Sequence, residues 1–263
     1  MFPALYVAAG GMTAQQLNLD NIANNLANIS TVGFRQRRIQ FEDLVYQNLV
    51  VPGSAATQQT TMPTGLQIGL GARTAASEIL QTQGEYTNTG NPLDLTIQGQ
   101  GFFQVLLPTG QIAYTRAGAF QLNEQRNIVT ADGNPLDPPI TIPSDALTIS
   151  IGTDGTVSVT EPGSQQAQQV GTIQLALFPN PAGLESIGQN LFIPTTSSGA
   201  PITGTPGGNE GLGTVQQGML EQSNVNVVDQ FVAMIETQRA YEANSRVVQS
   251  ADQMLQQLNQ LAP

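Results

Sequence analysis

The chain has 263 residues, including 27 Gly and 16 Pro, and 40% of it is hydrophobic, which is enough for one large domain or two small ones with a real core. It contains no Cys and no His, which excludes thiol chemistry and disulfides and removes the commonest metal ligand and general base. Its eight basic residues are all Arg, and 19 acidic residues bring the formal charge to −11, which argues against non-specific nucleic-acid binding.

Residues 5–30 are predicted to form a helix because apolar side chains recur at alternating spacings of three and four. Such a stripe is typical of a coiled-coil seam, so this helix needs a partner along one face. Asparagines beside the stripe indicate either hydrogen bonding across a packed interface or a solvated polar face. Gly33 is predicted to end the helix in a left-handed conformation. The stripe consists of Leu5, Ala8, Met12, Gln15, Leu19, Ile22, Leu26 and Ile29, and the asparagines are Asn21, Asn24, Asn25 and Asn28.

Residues 33–72 are predicted to be an extended or β connector. The basic cluster at its start, Arg35, Arg37 and Arg38, is predicted to pair with Glu42 and Asp43 rather than to bind phosphate. Residues 47–62 are polar and interrupted by Pro and Gly, so we expect an extended excursion that is poorly ordered in a lone subunit.

Strand patterns dominate residues 73–217. Residues 148–151 and 156–159 alternate in polarity around a Gly-Thr-Asp-Gly turn, which predicts a hairpin, and residues 132–135 predict another tight turn. No catalytic constellation, cofactor motif or metal-ligand spacing is apparent. An enzyme would have to rely on paired carboxylates, for example Asp132 and Asp137 in a glycan hydrolase, but Asp is expected in turns.

Residues 218–263 are predicted to form the closing helix, with Asn226 as its N-cap and Asp229 in an acidic first turn. It carries two neighbouring stripes with the same three-and-four spacing. The first consists of Phe231, Met234, Gln238, Tyr241, Ser245 and Val248, and the second of Val247, Ala251, Met254, Leu258 and Leu261. Each terminal helix therefore needs the other helix, or a neighbouring copy, to bury its apolar face.

These elements predict an α+β fold, with a mainly β centre and N- and C-terminal helices that pair as a coiled coil. We expect four segments: an N-terminal helix over residues 1–32, an extended or β connector over 33–72, a β-rich domain over 73–217 and a C-terminal helix over 218–263. Such a chain suits a subunit of a tubular assembly better than a free-standing enzyme. Its start lacks a secretory signal pattern and no apolar run reaches membrane-spanning length, so we expect a cytoplasmic protein or one exported without cleavage.

The chain resembles the bacterial flagellar axial family, which comprises the rod and hook proteins. The signatures that carry this resemblance are residues 23–35 (ANNLANISTVGFR), 220–226 (LEQSNVN) and 238–245 (QRAYEANS). Within the family, residues 58–69 (QQTTMPTGLQIG), 99–105 (GQGFFQV) and 183–188 (GLESIG) are similar to the distal-rod members. The chain departs from its relatives in lacking Lys where they often carry it, which should affect surface charge rather than fold.

The resemblance implies a structural subunit of a helical tube that transmits torque from motor to hook, with the terminal helices as the inner tube and the β-domain outside. It also implies unfolded export from the cytoplasm through the flagellar type III apparatus, into a basal body that spans the periplasm. The implied partners are further copies, proximal rod proteins, hook protein, and peptidoglycan- and outer-membrane-ring proteins. No cofactor, nucleic acid or membrane insertion is expected. A hook or proximal rod protein is the alternative within the family.

Three groups of residues are therefore candidates for function. The expected assembly interface consists of Leu5, Met12, Leu19, Ile22, Asn25, Leu26, Ile29, Phe231, Met234, Tyr241, Val248, Met254 and Leu258. A rod-stiffening segment is predicted around Pro52, Gly53, Pro63 and Gly65, with a passive surface loop as the alternative. Phe41 and Val45 resemble a short hydrophobic export signal, although two core residues would give the same pattern.

Overall fold

The structure, a computed structural model, describes residues 2–53, 64–163, 166–208 and 211–261. The chain divides into two compact units. The first, called the helical unit here, comprises the described parts of Met1–Ala27, Arg37–Glu78 and Asn226–Pro263. The second, called the β-body, comprises those of Asn28–Gln36 and Ile79–Val225. The fold is α+β with a mainly β centre, as predicted.

Two long helices dominate the helical unit: α1 (Phe2–Ala27) and α2 (Val227–Leu261). The start of α2 follows the predicted capping pattern. The Asn226 Oδ1 accepts a hydrogen bond from the Val228 backbone N–H at 3.0 Å, and Asp229 lies in the first turn, where a carboxylate favours the helix dipole. The prediction of Asn226 as the N-cap is therefore confirmed.

The ends of both helices differ from the prediction. α1 ends at Ala27 rather than near residue 32, because Asn28 begins a turn in which the Thr31 N–H donates to the Asn28 carbonyl at 3.2 Å. α2 begins at Val227 rather than at residue 218, since the intervening residues include a strand. Gly33 does adopt the predicted left-handed conformation, with φ at 70°, but it lies beyond that turn and does not cap α1.

The helical unit also holds two pairs of strands. β1 (Arg37–Asp43) pairs with β4 (Ala72–Ile79), whose last residue belongs to the β-body. β2 (Tyr46–Val50) pairs antiparallel with β3 (Leu66–Gly69). The first residues of the stretch predicted to be poorly ordered therefore form a regular strand, because β3 supplies their backbone partners. Residues 54–63, which include Pro63, lie outside the described part of the chain.

The β-body contains one six-stranded sheet in the order β15-β16-β8-β7-β14-β17, one three-stranded sheet in the order β11-β12-β13, and the pairs β18-β6, β19-β5 and β10-β9. The strands are β5 (Tyr86–Asn88), β6 (Leu95–Gln98), β7 (Phe102–Leu106), β8 (Ile112–Thr115), β9 (Gln121–Leu122), β10 (Ile128–Val129), β11 (Thr148–Ile151), β12 (Thr156–Thr160), β13 (Gln168–Thr172), β14 (Leu175–Leu177), β15 (Glu185–Gly188), β16 (Leu191–Ile193), β17 (Ile202–Gly204), β18 (Thr214–Gln217) and β19 (Met219–Glu221), with a 3₁₀ turn at Pro181–Gly183.

Local turn signals in the β-body are read correctly from the sequence. The predicted hairpin is β11–β12, in which Ile151 faces Val157 and the Gly152 N–H donates to the Thr156 carbonyl at 2.9 Å. The second predicted turn follows β10, where the Gly133 N–H donates to the Thr130 carbonyl at 2.9 Å. Both turns are held by hydrogen bonds between residues that are close in sequence. Their local composition is therefore enough to identify them.

The β-body encloses a large apolar core. Its fully buried side chains come from several sheets and include Leu95, Ile97, Phe103, Val105, Phe120, Ile128, Val157 and Leu175. The Phe103 and Phe120 rings meet edge to face, with centroids 5.2 Å apart. A smaller cluster packs Phe102, Tyr114, Phe178 and Phe192 together.

Neither helix, over the residues that are described, carries a stretch both long and apolar enough to cross a membrane. In the same described residues, no cluster of three or more carboxylate side chains is placed to hold a metal ion.

Candidate assembly interface

The two helices pack against each other through small and polar side chains. The buried positions of the two helices are Ala8, Ala14, Ile22 and Asn25 of α1 and Gln230, Thr237 and Ala251 of α2, and hydrogen bonds between the helices join Asn25 to Gln230 and Asn18 to Thr237. A Cβ added to Gly11 would lie only 2.9 Å from the Asn244 Nδ2, so the backbones approach closely there. Small side chains at the contact allow such an approach, and they fix which face of α2 meets α1.

Asn25 is the centre of the polar part of this seam, with 1% of its surface exposed. Its Nδ2 donates to the Arg37 carbonyl at 2.8 Å and to the Gln230 Oε1 at 3.3 Å, while its Oδ1 accepts from the Arg37 N–H at 3.0 Å. The side chain thus joins α1 both to α2 and to the start of β1. Because every contact lies in a buried site, each one is costly to leave unmade.

Two other asparagines support the same interpretation. The Asn18 Nδ2 donates to the Thr237 Oγ1 at 3.0 Å, and the Asn21 Nδ2 donates to the Arg37 carbonyl at 2.9 Å. Hydrogen bonding across a packed interface is therefore the role of Asn21 and Asn25, whereas Asn24 is exposed. Contacts of Asn18, Gln230 and Thr237 were not predicted from the sequence. These residues have helical spacing, but they are polar, and the prediction relied mainly on large apolar residues.

The predicted interface residues fall into separate groups. Ile22 and Asn25 are buried in the helix pair, and Leu5, Met12, Leu19, Leu26, Met234 and Val248 are half-buried. Phe231, Tyr241 and Met254 are exposed in the single chain, where Gln230 and Thr237 contact α1 instead, so their place in the assembly interface stays a prediction. Ile29 lies in the turn after α1 rather than on the helix, and the side chain of Leu258 lies outside the described part.

A second face of the helices presents large apolar side chains to solvent. Near the start of α2 it is nearly continuous, and Phe231 keeps 48% of its surface exposed. The exposed residues are Tyr6 and Leu17 on α1 and Val227, Val228, Phe231, Val232, Ile235, Tyr241, Val247 and Met254 on α2. Clustered exposed apolar surface of this kind marks protein–protein contacts.

The β2–β3 ribbon has the same character. Its strands and flanks expose Val45, Tyr46, Leu49, Val51, Leu66 and Ile68. Pro52 and Gly53 form the exposed turn after β2, and Gly65 precedes β3 with its Cα close to the Val50 carbonyl. An isolated two-stranded ribbon is marginal in water, so a surface that covers this one would stabilise it.

Phe41 and Val45 are both exposed, at 43% and 78%. The alternative interpretation as two core residues is therefore wrong, because β1 and its neighbouring loop cover neither side chain. The predicted role in export stays a prediction.

Arg35 and Arg38 of the basic cluster make different ion pairs from those predicted. Arg38 pairs with Glu78 at 2.9 Å because β4 runs beside β1, and Glu42 pairs instead with Arg73 at 3.1 Å. Hydrogen bonds from Arg38, and then from Gln40, hold the pKa of Glu78 below its usual value of 4.5. These exposed pairs stabilise the strands only weakly.

Arg35 belongs to a buried network in the β-body that sequence reasoning missed. Its Nη2 lies 2.8 Å from the Glu221 Oε1, and the Arg116 Nη1 lies 3.4 Å from the Glu221 Oε2. The side chains of Arg35, Glu221 and Arg116 are exposed by 1%, 1% and 6%. Burial and the neighbouring Arg35 lower the pKa of Arg116 to about 10, while Glu221 partly opposes the shift.

This network joins segments that are distant in the sequence. Arg35 and Glu221 belong to the N- and C-terminal signatures, and Arg116 follows β8 in the centre of the body. Gly33 is packed so tightly beside it that a Cβ would lie 2.6 Å from the Ala117 backbone nitrogen. The two terminal signatures therefore meet in one buried site, a long-range pairing that no local pattern reveals.

The exposed apolar faces of the helical unit are typical of a protein that assembles with others. Comparison with known proteins gives the family. Residues 5–35 match the family described as flagella basal body rod protein, residues 96–159 match the flagellar hook protein FlgE/F/G D1 domain, and residues 216–261 match the flagellar basal body rod FlgEFG protein C-terminal region.

Full-length relatives agree with these matches. The chain is 48% identical to the flagellar basal-body rod protein FlgG of Buchnera aphidicola from Acyrthosiphon pisum, over 99% of this chain and 100% of the relative. It is 49% identical to the FlgG protein of Caulobacter vibrioides, over 98% of each chain, and 45% identical to that of Borreliella burgdorferi, over 99% of each. The chain belongs to the flagellar basal-body rod family, a family of structural proteins, and is a structural rod subunit of the bacterial flagellum.

Proposed function

We propose that the chain polymerises into the rigid helical tube of the distal rod, which transmits torque from motor to hook across the periplasm. The observation that carries this proposal is the row of exposed apolar side chains on α2, represented by Val228, Phe231 and Ile235. Covering this surface would contribute about 25 cal/mol for each Å² of apolar area removed from water. A repeated contact that does not close on itself generates a helical filament.

The helices would then form the inner layer of the tube and residues 73–217 its outer layer. The predominance of helix in one unit and of strand in the other supports this assignment. The interface would combine the half-buried positions of α1, such as Leu5 and Met12, with the exposed positions Phe231, Tyr241 and Met254 of α2. Proximal rod proteins, hook protein and the peptidoglycan- and outer-membrane-ring proteins would be its neighbours in the basal body.

Export would precede assembly. The chain would leave the cytoplasm unfolded through the flagellar export apparatus, without cleavage of a signal peptide, and Phe41 and Val45 would be read as a hydrophobic signal. Their exposure supports this proposal, because no core packing accounts for two large apolar side chains at these positions.

The β2–β3 ribbon and the segment that connects its two strands, from Pro52 and Gly53 to Pro63 and Gly65, would act as a wedge that stiffens the tube. Bending requires compression on one side, and a wedge between neighbouring subunits on every side would resist it. Exposed Leu49 and Leu66, which lie close together at one end of the short strand pair, support contact with another subunit. A passive surface loop would have no need for such apolar residues.

Substitution of Phe231 by Asp tests the assembly face. A carboxylate buried at the contact without a partner costs several kcal/mol, so the critical concentration for polymerisation should rise at least about tenfold. The monomer should keep its circular dichroism spectrum, because Phe231 is exposed in it. Gln249→Asp, at an exposed polar position of the same helix, is the matched control and should polymerise normally. Normal assembly of the Phe231→Asp chain would contradict the proposed face.

The wedge is tested by replacing Leu49 and Leu66 together with Ser. These chains should still polymerise, but electron microscopy should show curved or flexible tubes. The control replaces Gln47 and Gln67, two exposed polar residues of the same strands, with Ser. Straight tubes of unchanged stiffness from the Leu49/Leu66 variant would leave the ribbon as a surface loop. Curved tubes from the unmodified chain would instead favour the alternative of a hook protein.

A further inference from the structure

The β-body contains a cavity of about 320 Å³ that assembly does not explain. It lies beside the loop that leads into β7, and the 3₁₀ turn is part of its wall. Its lining combines apolar side chains with amide and guanidinium groups. The lining includes Gln81, Gln100, Phe102, Arg116, Phe178 and Pro179.

The buried network beside this cavity carries a net positive charge. Arg35 and Arg116 share the single carboxylate of Glu221, and all three side chains are more than nine-tenths buried. Arg116 also donates from Nη2 to the Gly99 carbonyl at 2.6 Å and from Nη1 to the Ile97 carbonyl at 3.2 Å. These carbonyls are dipoles and bring no formal charge, so one positive charge is left over. An uncompensated buried charge is costly, and an anion nearby would offset it.

Two lining residues also have buried hydrogen-bond donors that contact no acceptor among the described residues. They are the Nε of Arg116 and the Nε2 of Gln81. Buried donors without a partner are rare in folded proteins, and these two belong to residues that line one cavity. Both are donors, so a matching ligand must present acceptors.

We propose that this cavity binds a carboxylate group attached to an apolar body. A carboxylate supplies the negative charge that balances the network and two acceptor oxygens for the Arg116 guanidinium and the Gln81 amide. The rings of Phe102 and Phe178, with Pro179, form the wall against which the apolar part packs. The carboxylate is either a free small acid or an acidic side chain of a second copy of the chain.

The test uses a single thiol as a reporter, because the natural chain contains no Cys. In the Gln81→Cys chain, the alkylation rates by anionic iodoacetate and neutral iodoacetamide are compared. Gln111→Cys, at an exposed position outside the cavity lining, is the control. The ratio of iodoacetate to iodoacetamide rates should be at least about fivefold higher at Gln81→Cys, because fixed positive charge concentrates an anion locally. Sodium acetate should suppress this preference more than sodium chloride of equal ionic strength.

A ratio equal to that of the control, or equal suppression by acetate and chloride, would overturn the site. Gln100→Cys, which keeps the Gln81 amide assigned to the carboxylate, is measured alongside Gln81→Cys and should show the same preference for iodoacetate and the same suppression by acetate. The unmodified monomer gives a further check, since acetate should shift the Gln81 side-chain amide signals in an NMR spectrum more than chloride does. None of these measurements requires polymerisation, so they stand whether or not the proposed tube forms.

The source of the carboxylate is identified in assembled material. A second copy supplies it if assembly in acetate-free buffer abolishes the preference for iodoacetate at Gln81→Cys. A free acid is the ligand if the preference persists in the assembled protein and acetate still suppresses it.

Discussion

The β-body buries its large apolar side chains, whereas the helical unit leaves many of its own exposed. In the β-body the large side chains, such as Phe103, Val105 and Leu175, are fully buried. In the helical unit the buried positions are mostly small or polar, such as Ala14, and large side chains such as Phe231 remain exposed. A unit that hides its apolar surface can be stable alone, whereas one that exposes it is completed by partners. We therefore expect the β-body to be stable in the monomer and the helical unit to be completed by assembly.

The largest expected effect is a difference in amide hydrogen exchange between the two units of the monomer. Amides of β7 and β8 should exchange at least about a thousandfold more slowly than those of α1 and α2, because core strands open only with global unfolding. Long helices with one uncovered face are weak in water, so they should open locally. Mass spectrometry of exchanged peptides measures both sets in one experiment.

Equal protection of the amides of both units from hydrogen exchange, in a verified monomer, would contradict the expected difference in stability between the units. The same measurement on assembled protein is the control, since α1 and α2 should then become protected while β7 and β8 change little.

The next largest effect is expected on the stability of the β-body itself. Glu221→Gln leaves Arg35 and Arg116 buried without a carboxylate, and should lower the free energy of unfolding by about 3–5 kcal/mol. Urea denaturation followed by circular dichroism measures the loss. Glu85→Gln, at an exposed position in the same unit, should change stability very little. A small loss from Glu221→Gln would show that the network is not needed to hold the body together.

A smaller effect is expected on the polar seam of the helices. Asn25→Ala removes the side chain that accepts from the Arg37 N–H and donates to its carbonyl, at a cost of about 1–3 kcal/mol. The cost should appear in assembled protein as a lower temperature of disassembly, while urea denaturation of the β-body stays unchanged. Gln16→Ala, at an exposed position of α1, is the control. A shift in the β-body transition would mean that the two units do not respond independently.

The smallest effect concerns pH. Because the pKa of Glu78 is held below 4.5 in the folded state, its contribution to stability is complete above that pH and is lost as the pH falls through the lowered pKa. Arg38→Gln should raise the titration midpoint of the Glu78 carboxyl carbon in an NMR experiment. Arg73→Gln, which removes the partner of Glu42 instead, should leave that midpoint where it is.

Local signals in the sequence predicted the fold class and several of its elements, while the assembly interface stays a prediction. The Asn226 cap, the β11–β12 hairpin and the existence of both helices depend on neighbouring residues, and all are present. The start of α2 was misplaced because β19 forms only through pairing with distant β5. Sequence pattern therefore identified elements, while their ends were decided by partners elsewhere in the chain.

Apolarity in the sequence was a poor guide to which side chains of α2 contact α1 within the single chain. Phe231 has the spacing of a seam residue, yet two helices that approach closely need smaller side chains, and Gln230 and Thr237 fill those positions. The Arg35 and Glu221 pairing was invisible for a different reason. Each residue sits in its own terminal signature, and a single sequence gives no sign that the two segments meet.

The buried network of the β-body can be completed only late in the synthesis of the chain. Arg116 and Glu221 are 105 residues apart. At roughly 5–20 residues per second, about 5–20 s of translation separate the appearance of the two residues. Throughout that interval the nascent chain holds two arginines whose shared carboxylate has not yet been made, so a native core enclosing them is disfavoured. A glutamate placed near the end of the β-body is therefore expected to disfavour closure of the core until nearly all of its strands have been synthesised.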